Sequence, residues 1–447
     1  MDTNNLSKEE VLSYDAEYCL RPWAVQKNQN PIPVARADGI FFWDYDGKRY
    51  YDMSSQLVNV NLGFGNREIN DAIVRQLQQY PYIAPAHATE ARGKLAKLLI
   101  EKSPKNMRKV FFTCGGAESN DNAVIIAREV TGRTKIFSRY RSYHGSTLGA
   151  GNLSGDPRRF GVEKPEMPGY IKFFDPYVYR EPIRFANDAE ASHYYLAKLR
   201  EQIICEGPHK IAAIALETIT GSNGVFIPPD GYLAGVRRLC DEFGILLIFD
   251  EVMTGFGRTG KLFSFENWGV IPDIITFAKG ITCGYVQLGG VIVNDRISAY
   301  YDTRPLLNGL TYAGHALACA AGYVTLNYYY EHNVFENVNR VGQTLGQTLE
   351  GFKEKHKCVG DVRYIGLFSA VELVKDKDTR EPLVSYSNDE KGVMNKIIGL
   401  LRERGFATFG RENNIVIAPP LIIEEKQLRD ALMILDEVLG IVDRELV

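Results

Sequence analysis

Ile245-Leu246-Leu247-Ile248-Phe249-Asp250-Glu251 is an unbroken apolar run that ends in two carboxylates. With no polar residue inside it, the run reads as a strand buried on both faces, as in a parallel sheet covered by helices. A carboxylate at the end of such a strand is costly unless a metal, a base or a protonated ring nitrogen partners it. One of the two acids is equally suited to capping the turn that follows, Thr254-Gly255-Phe256-Gly257.

Similar runs flank this one. Val110 to Thr113, Ile211 to Leu216, Ile274 to Phe277 and Leu288 to Val293 alternate with amphipathic stretches of helix length between Ile69 and Val293. That rhythm predicts an α/β domain with a mainly parallel sheet. Nearer the N-terminus, Phe41 to Asp52 alternates aromatic and polar residues around the turn dipeptide Asp46-Gly47, which predicts a hairpin. Beyond Thr311 the pattern predicts helices over Ala316 to Tyr330, Val338 to His356, Glu390 to Arg404 and Glu424 to Leu439. Strands are predicted over Phe368 to Val374 and Asn414 to Ala418. The expected division is a large domain over 69–330 and a small α+β domain over 331–447, to which the N-terminal segment 1–68 contributes.

The 447 residues leave room for two such cores, and a formal charge of −3 supplies no basic field for nucleic acid or anionic membrane. A small-molecule ligand is expected. The seven cysteines are scattered, with no C-x-x-C pair, and read as reduced thiols and not as a disulfide framework or zinc site. The start, MDTNNLSKEEVLSYD, lacks the apolar core of a signal peptide, and no later run has the length of a membrane span. A cytoplasmic enzyme is therefore expected.

In open α/β sheets ligands sit beyond the carboxyl ends of the strands, so the residues that follow each run carry the functional argument. Val110 to Thr113 leads through Cys114-Gly115-Gly116-Ala117 into a helical pattern, where glycine amides and a helix N-terminus can seat an anion. Ile274 to Ala278 leads into Lys279-Gly280, a lysine positioned to be desolvated and hence reactive as a neutral amine. Lys135 to Ser138 leads towards Tyr143-His144, which puts an aromatic plate at the same edge. Each feature alone has an ordinary reading: a tight turn, a solvated lysine, a packed tyrosine, a hydrogen-bonding histidine. Together they meet the needs of pyridoxal 5′-phosphate, whose phosphate needs a seat, whose aldehyde needs a lysine and whose ring nitrogen needs an acid.

A nucleotide-binding reading competes with this one. Gly255-Phe256-Gly257-Arg258-Thr259-Gly260-Lys261 fits G-x-x-x-x-G-K, but Leu262 offers no hydroxyl for Mg²⁺ and no apolar strand directly precedes the loop. In a pure binding module, the strand-end lysine and acid would be idle buried charges.

Leu247 to Gly260, Pro272-Asp273-Ile274, Ala278-Lys279-Gly280 and Gly309-Leu310-Thr311-Tyr312-Ala313-Gly314-His315 resemble the class III (ω-type) aminotransferases, and the resemblance runs over nearly the whole chain. It implies the type I fold of pyridoxal-phosphate enzymes and a homodimer with active sites at the subunit interface. It further implies Lys279 as the Schiff-base lysine and proton shuttle, with Asp250 at the ring nitrogen, Val252 beneath the ring and Tyr143 above it. Gly116 and Ala117 become phosphate donors, Thr311 a hydroxyl donor from the partner subunit, and Glu217 an acid that supports the site. Ser146 stands where many members carry an arginine, and Ser222 where 4-aminobutyrate enzymes often carry a glutamate that pairs with a movable arginine. Arg411 is then free to bind the acid groups of donor and acceptor in turn, or is a loop arginine on the surface. Ser54 to Asn61, Gly155-Asp156-Pro157-Arg158-Arg159 and Gly366 to Val374 are similar to a subgroup, the taurine aminotransferases, that use 2-oxoglutarate or pyruvate. A sulfonate, like a carboxylate, suits a bidentate arginine. Trp23, Leu57 and Val58 are candidate pocket walls, or core. The expected reaction is ping-pong transfer of an ω-amino group; β-alanine, 4-aminobutyrate or diamine transfer and an aminomutase are the alternatives.

Overall fold

The computed structural model describes residues 6–163 and 167–446; the first five residues of the polar N-terminal stretch lie outside them. A sheet near the N-terminus contains β1 (Val34–Asp38), β2 (Phe41–Asp44) and β3 (Arg49–Asp52). The predicted hairpin is β2 and β3, antiparallel with Phe41 opposite Tyr51. Its turn is held by Asp44, whose Oδ1 accepts from the backbone N–H groups of Asp46 and Lys48.

Seven strands form the central sheet: β4 (Met107–Thr113), β5 (Lys135–Arg139), β6 (Tyr170–Phe173), β7 (Ile211–Glu217), β8 (Leu246–Asp250), β9 (Ile274–Phe277) and β10 (Gly289–Asn294). Their order is β4-β10-β9-β8-β7-β5-β6. The pairs from β9 through β6 are parallel, and β10 runs against both of its neighbours. Every residue of β7 and β8 is buried, which is why those runs are wholly apolar up to their last residues. β6 has no such run: it is a short edge strand interrupted by Lys172. β4, on the opposite edge, starts three residues before its apolar core, with Arg108 and Lys109 exposed.

The third sheet contains β11 (Val359–Ile365), β12 (Phe368–Asp376), β13 (Glu381–Pro382), β15 (Gly410–Arg411) and β16 (Asn414–Ile417), while β14 (Phe406–Ala407) joins the first sheet. β14 pairs parallel with β3, so the N-terminal hairpin shares its sheet with a strand from near the C-terminus. β11 reads VGDVRYI, and Asp361 and Arg363 hide it from a search for apolar runs. The last helix spans Glu425–Glu445, past its expected end at Leu439, because the apolar stripe continues through Val442.

The carboxyl ends of β4, β5, β7, β8 and β9 lie on one edge of the central sheet. Glu217 and Asp250 are register partners across β7 and β8, and Asp250 pairs with Thr276 of β9.

Candidate active site

A cavity of about 680 Å³ opens at that edge. Its lining brings together Gly116, Ala117, Tyr143, Glu217, Asp250, Val252 and Lys279, and also includes Trp23, Leu57 and Arg411. Two expected residues stand elsewhere. Val58 is buried in a packed cluster with Ile219, Val225, Phe368 and Val416, facing away from the cavity. Thr311 is exposed on the surface, its carbonyl accepting from the Tyr82 hydroxyl at 2.7 Å.

Asp250 is held from three sides. Its Oδ2 accepts from Asn120 Nδ2 at 2.8 Å and lies 2.6 Å from His144 Nδ1; its Oδ1 accepts from the Val252 N–H at 2.9 Å. Asn120 is fixed in turn by Thr276 and by the His144 carbonyl. The carboxylate is thus oriented while Oδ1 keeps accepting capacity towards the cavity. Glu251 has the other role open to this pair. Buried, it accepts from Thr254 Oγ1 and from the N–H groups of Ser264 and Phe265, and burial lifts its pKa to about 7.

Lys279 follows β9 by two residues in a left-handed backbone conformation, φ 50°, which turns its side chain into the cavity. Burial lowers its amine to about 8; Asp250 and Glu217 pull the other way and Arg158 adds to the fall. About a tenth of the amine is therefore neutral at pH 7, far more than for an unperturbed lysine. Glu217 is raised, chiefly by burial, with His144 opposing. Its two oxygens accept from the N–H groups of Tyr143, at 3.1 Å, and Gly221, at 2.7 Å, so it sets the backbone that carries the aromatic plate.

The anion seat is the start of the helix Gly116–Thr131, whose N-cap Gly115 brings no side chain to the first amides. Gly116 is required sterically, since a Cβ there would come 2.7 Å from Val252 Cγ1. The glycine and the valine beneath the cavity thus fit each other.

Two arginines, Arg158 and Arg411, form a further part of the lining. Arg158 grips the buried Asp156 through Nε and Nη2, and its Nη2 also donates to Ser222 Oγ at 2.7 Å. Its guanidinium lies 3.6 Å from the centre of the Tyr143 ring. Arg411 approaches the same Asp156 at 3.7 Å, and its buried Nε has no hydrogen-bond partner among the described residues. Two cations thus share one carboxylate, leaving this wall with spare positive charge facing the cavity.

Sequence reasoning missed three of these groups. His144 is the second partner of the acid, Asn120 the third, and Arg158 a cavity residue seen only as part of a motif. The sequence signal for Arg158 was its place two residues after Asp156, but only the fold brings that pair beside Tyr143.

The site has the parts of a pyridoxal-phosphate enzyme: bare helix-start amides for a phosphate, a depressed lysine for the aldehyde, and an oriented acid with accepting capacity for the ring nitrogen. The chain belongs to the class III aminotransferases, whose family model, "Aminotransferase class-III", matches residues 23–439. It is an aminotransferase that depends on pyridoxal 5′-phosphate and has the type I fold of such enzymes. It is 31% identical to a taurine–pyruvate aminotransferase of Bilophila wadsworthia over 98% of both chains. It is 32% identical to a putrescine–pyruvate aminotransferase of Pseudomonas aeruginosa over 88% of this chain and 87% of that one. Among solved structures, it matches taurine:2-oxoglutarate aminotransferase from Bifidobacterium kashiwanohense, in complex with PLP and glutamate, at 52% identity. The TM-score is 0.97, with 99% of each chain covered. An (S)-enantioselective omega-transaminase from Thermomicrobium roseum matches at 36% identity and TM-score 0.92, over 98% of this chain and 99% of that one.

Proposed function

We propose that the enzyme takes the amino group of an ω-amino acid with an anionic far end, taurine first, and passes it to a 2-oxo acid, 2-oxoglutarate before pyruvate. The observation that carries this reading is the pair Arg158 and Arg411, two cations sharing the single carboxylate of Asp156 on the cavity wall. One arginine suffices for the single charge of taurine or pyruvate. A second is used by an acceptor with two carboxylates. The taurine–pyruvate and taurine:2-oxoglutarate aminotransferases among its relatives support the donor. A diamine such as putrescine would bring a cation to a wall already positive, which argues against the activity of the Pseudomonas relative here.

When bound, pyridoxal phosphate supplies the electron sink that lets the C–H bond beside the amine break. In this reading Lys279 would hold the cofactor through its side-chain amine, and as a neutral amine would carry the proton between the amine-bearing carbon and C4′. Asp250, oriented by His144 and Asn120, keeps the ring nitrogen protonated. The Gly116 and Ala117 amides would hold the phosphate, Val252 and Tyr143 would flank the ring, and Glu217 fixes the Tyr143 backbone.

Thr311 completes the phosphate seat from a partner subunit. A homodimer is supported by its exposure beside exposed Leu307 and Tyr312. A cytoplasmic location agrees with seven free cysteines, and among the described residues no helix is long and apolar enough to cross a membrane. The β3–β14 pairing supports a small domain over 331–447 completed by residues 1–68, beside the large domain over 69–330.

The test is a donor half-reaction: holoenzyme is mixed with taurine, β-alanine, 4-aminobutyrate or putrescine, and the absorbance of the lysine-bound cofactor is followed. Taurine is expected to bleach it fastest and putrescine slowest. Silence with taurine while another donor reacts rejects the donor assignment.

A further inference from the structure

Ser55, Gln56, Leu57 and Val58 all have left-handed backbone angles, with φ of 46, 49, 67 and 58°. None is glycine, and left-handed L-residues normally occur singly. Four in succession make one turn of left-handed helix, closed by Val58 N–H to the Ser54 carbonyl at 2.7 Å and Asn59 N–H to the Ser55 carbonyl at 2.8 Å. The turn sends Leu57 to the cavity lining and Val58 into the core. Strain of this kind persists only where the surroundings impose it.

Two buried groups impose it. Asp52 Oδ1 accepts from the Ser54 and Gln56 N–H groups at the start of the turn. Behind the turn lies Arg258, fully buried, whose hydrogen-bond partners among the described residues are all neutral. Its Nη2 donates to Ser55 Oγ at 3.0 Å and Asn61 Oδ1 at 2.8 Å; its Nη1 donates to the carbonyls of Leu367, at 3.0 Å, and Pro419, at 2.6 Å. Ser55 Oγ donates onward to the Ala418 carbonyl at 2.6 Å. Arg258 thus ties the loop leaving β8 to the turn, to Asn61, and to the segments around β12 and β16. Asn61 packs on Gly280, where a Cβ would come 2.5 Å from its Nδ2, so the braced loop also backs the residue next to Lys279. A buried charge bound only to neutral acceptors is a costly way to hold a structure. Its fork geometry, meeting four acceptors from three segments, is what a lysine or apolar residue could not reproduce.

We propose that Arg258 is a positioning residue that clamps the left-handed turn and thereby fixes how far Leu57 reaches into the cavity, setting the bulk of donor admitted. The proposal rests on the reading of this cavity as the amine site. Discrimination between taurine and its homologue with a methyl on the amine-bearing carbon reports on that wall, since one methylene is worth roughly 10- to 200-fold in a fitted pocket.

The test is a double-mutant cycle on the holoenzyme with R258K, L57A and both together, measuring kcat/KM for the two donors. R258K is expected to raise KM for taurine about tenfold with kcat within about twofold, and to cut the discrimination about tenfold. L57A is expected to do the same, and the double variant to do little more. Unchanged discrimination in R258K, or effects that multiply, would overturn the proposal; a merely structural arginine lowers Tm and leaves the ratio of folded enzyme intact. If R258K does not fold, S55A removes one acceptor of the clamp and must shift discrimination in the same direction. Q56G, at an exposed position of the turn, is expected to raise Tm by relieving strain; an unchanged or lower Tm counts against a strained turn. Should taurine fail with the unaltered enzyme, β-alanine and 3-aminobutanoate replace the pair. That failure bears on the donor assignment and not on Arg258.

Discussion

Lys279, Asp250, Glu217 and Gly116 stand at or just beyond the ends of four strands of one sheet, whereas Trp23, Leu57, Arg158 and Arg411 reach the same cavity from four separate segments. At the first set, the sheet itself dictates position: register places Glu217 beside Asp250 and Thr276 beside Asp250. At the second, position comes from long-range contacts, such as Arg158 with Ser222, or Arg258 with Ser55. The groups proposed to hold the cofactor are thus positioned by the sheet, and those proposed to choose the substrate by loops. If that contrast is right, damage at strand ends abolishes turnover with any substrate, and damage on the loops redistributes preference among substrates.

The largest expected effect is Lys279→Ala, which removes the group proposed as both covalent anchor and proton carrier. Turnover should fall by at least ~10³-fold for every donor, measured as kcat with cofactor in excess. Normal turnover with bound cofactor would break the comparison at its first term. Asp250→Asn should cost about 10²-fold in kcat with the acceptor preference unchanged, since a neutral amide no longer stabilises a protonated ring nitrogen. On the other wall, Arg158→Met should raise KM for 2-oxoglutarate about 10- to 100-fold and change KM for pyruvate by less than about threefold. An equal loss with both acceptors would mean that Arg158 does not sort one carboxylate from two.

The same contrast decides what could be read in advance. β7, β8 and β9 are legible because burial on both faces excludes polar residues, and their exits therefore pointed to Asp250 and Lys279. β6 and β11 escaped because Lys172, Asp361 and Arg363 interrupt them, as an edge strand and a partly exposed strand allow. His144 read as an ordinary histidine because its bond to Asp250 joins residues 106 apart in sequence. Leu57 and Val58 could not be told apart, since only a left-handed turn without glycine sends one to the cavity and the other to the core, and no residue type announces such a turn. Arg411 could be placed near the site by its motif, but its unpaired Nε is a fact of packing.

The smallest expected effect is one of pH, on the loop wall alone. Glu412 follows Arg411 in a left-handed conformation, and burial raises its carboxyl to about 7 while Arg411 and Arg141 oppose the rise. Above that pH Glu412 is charged and competes with a substrate anion for Arg411; below it the acid is neutral and Arg411 is released. Binding of an unreactive dicarboxylate such as glutarate should therefore tighten as pH falls through about 7, by about threefold, the scale of a screened charge–charge interaction. Measuring its inhibition constant between pH 6 and 8 checks this without involving the proton transfers of catalysis. Glu412→Gln should flatten the profile at its tight-binding level. Lys279, lowered by burial to about 8, works in the opposite sense on chemistry, because its neutral fraction grows as pH rises. Donor turnover should consequently improve over the interval in which acceptor binding weakens, and a shared pH trend for both would mean that Glu412 and Lys279 do not govern the two steps in opposite senses.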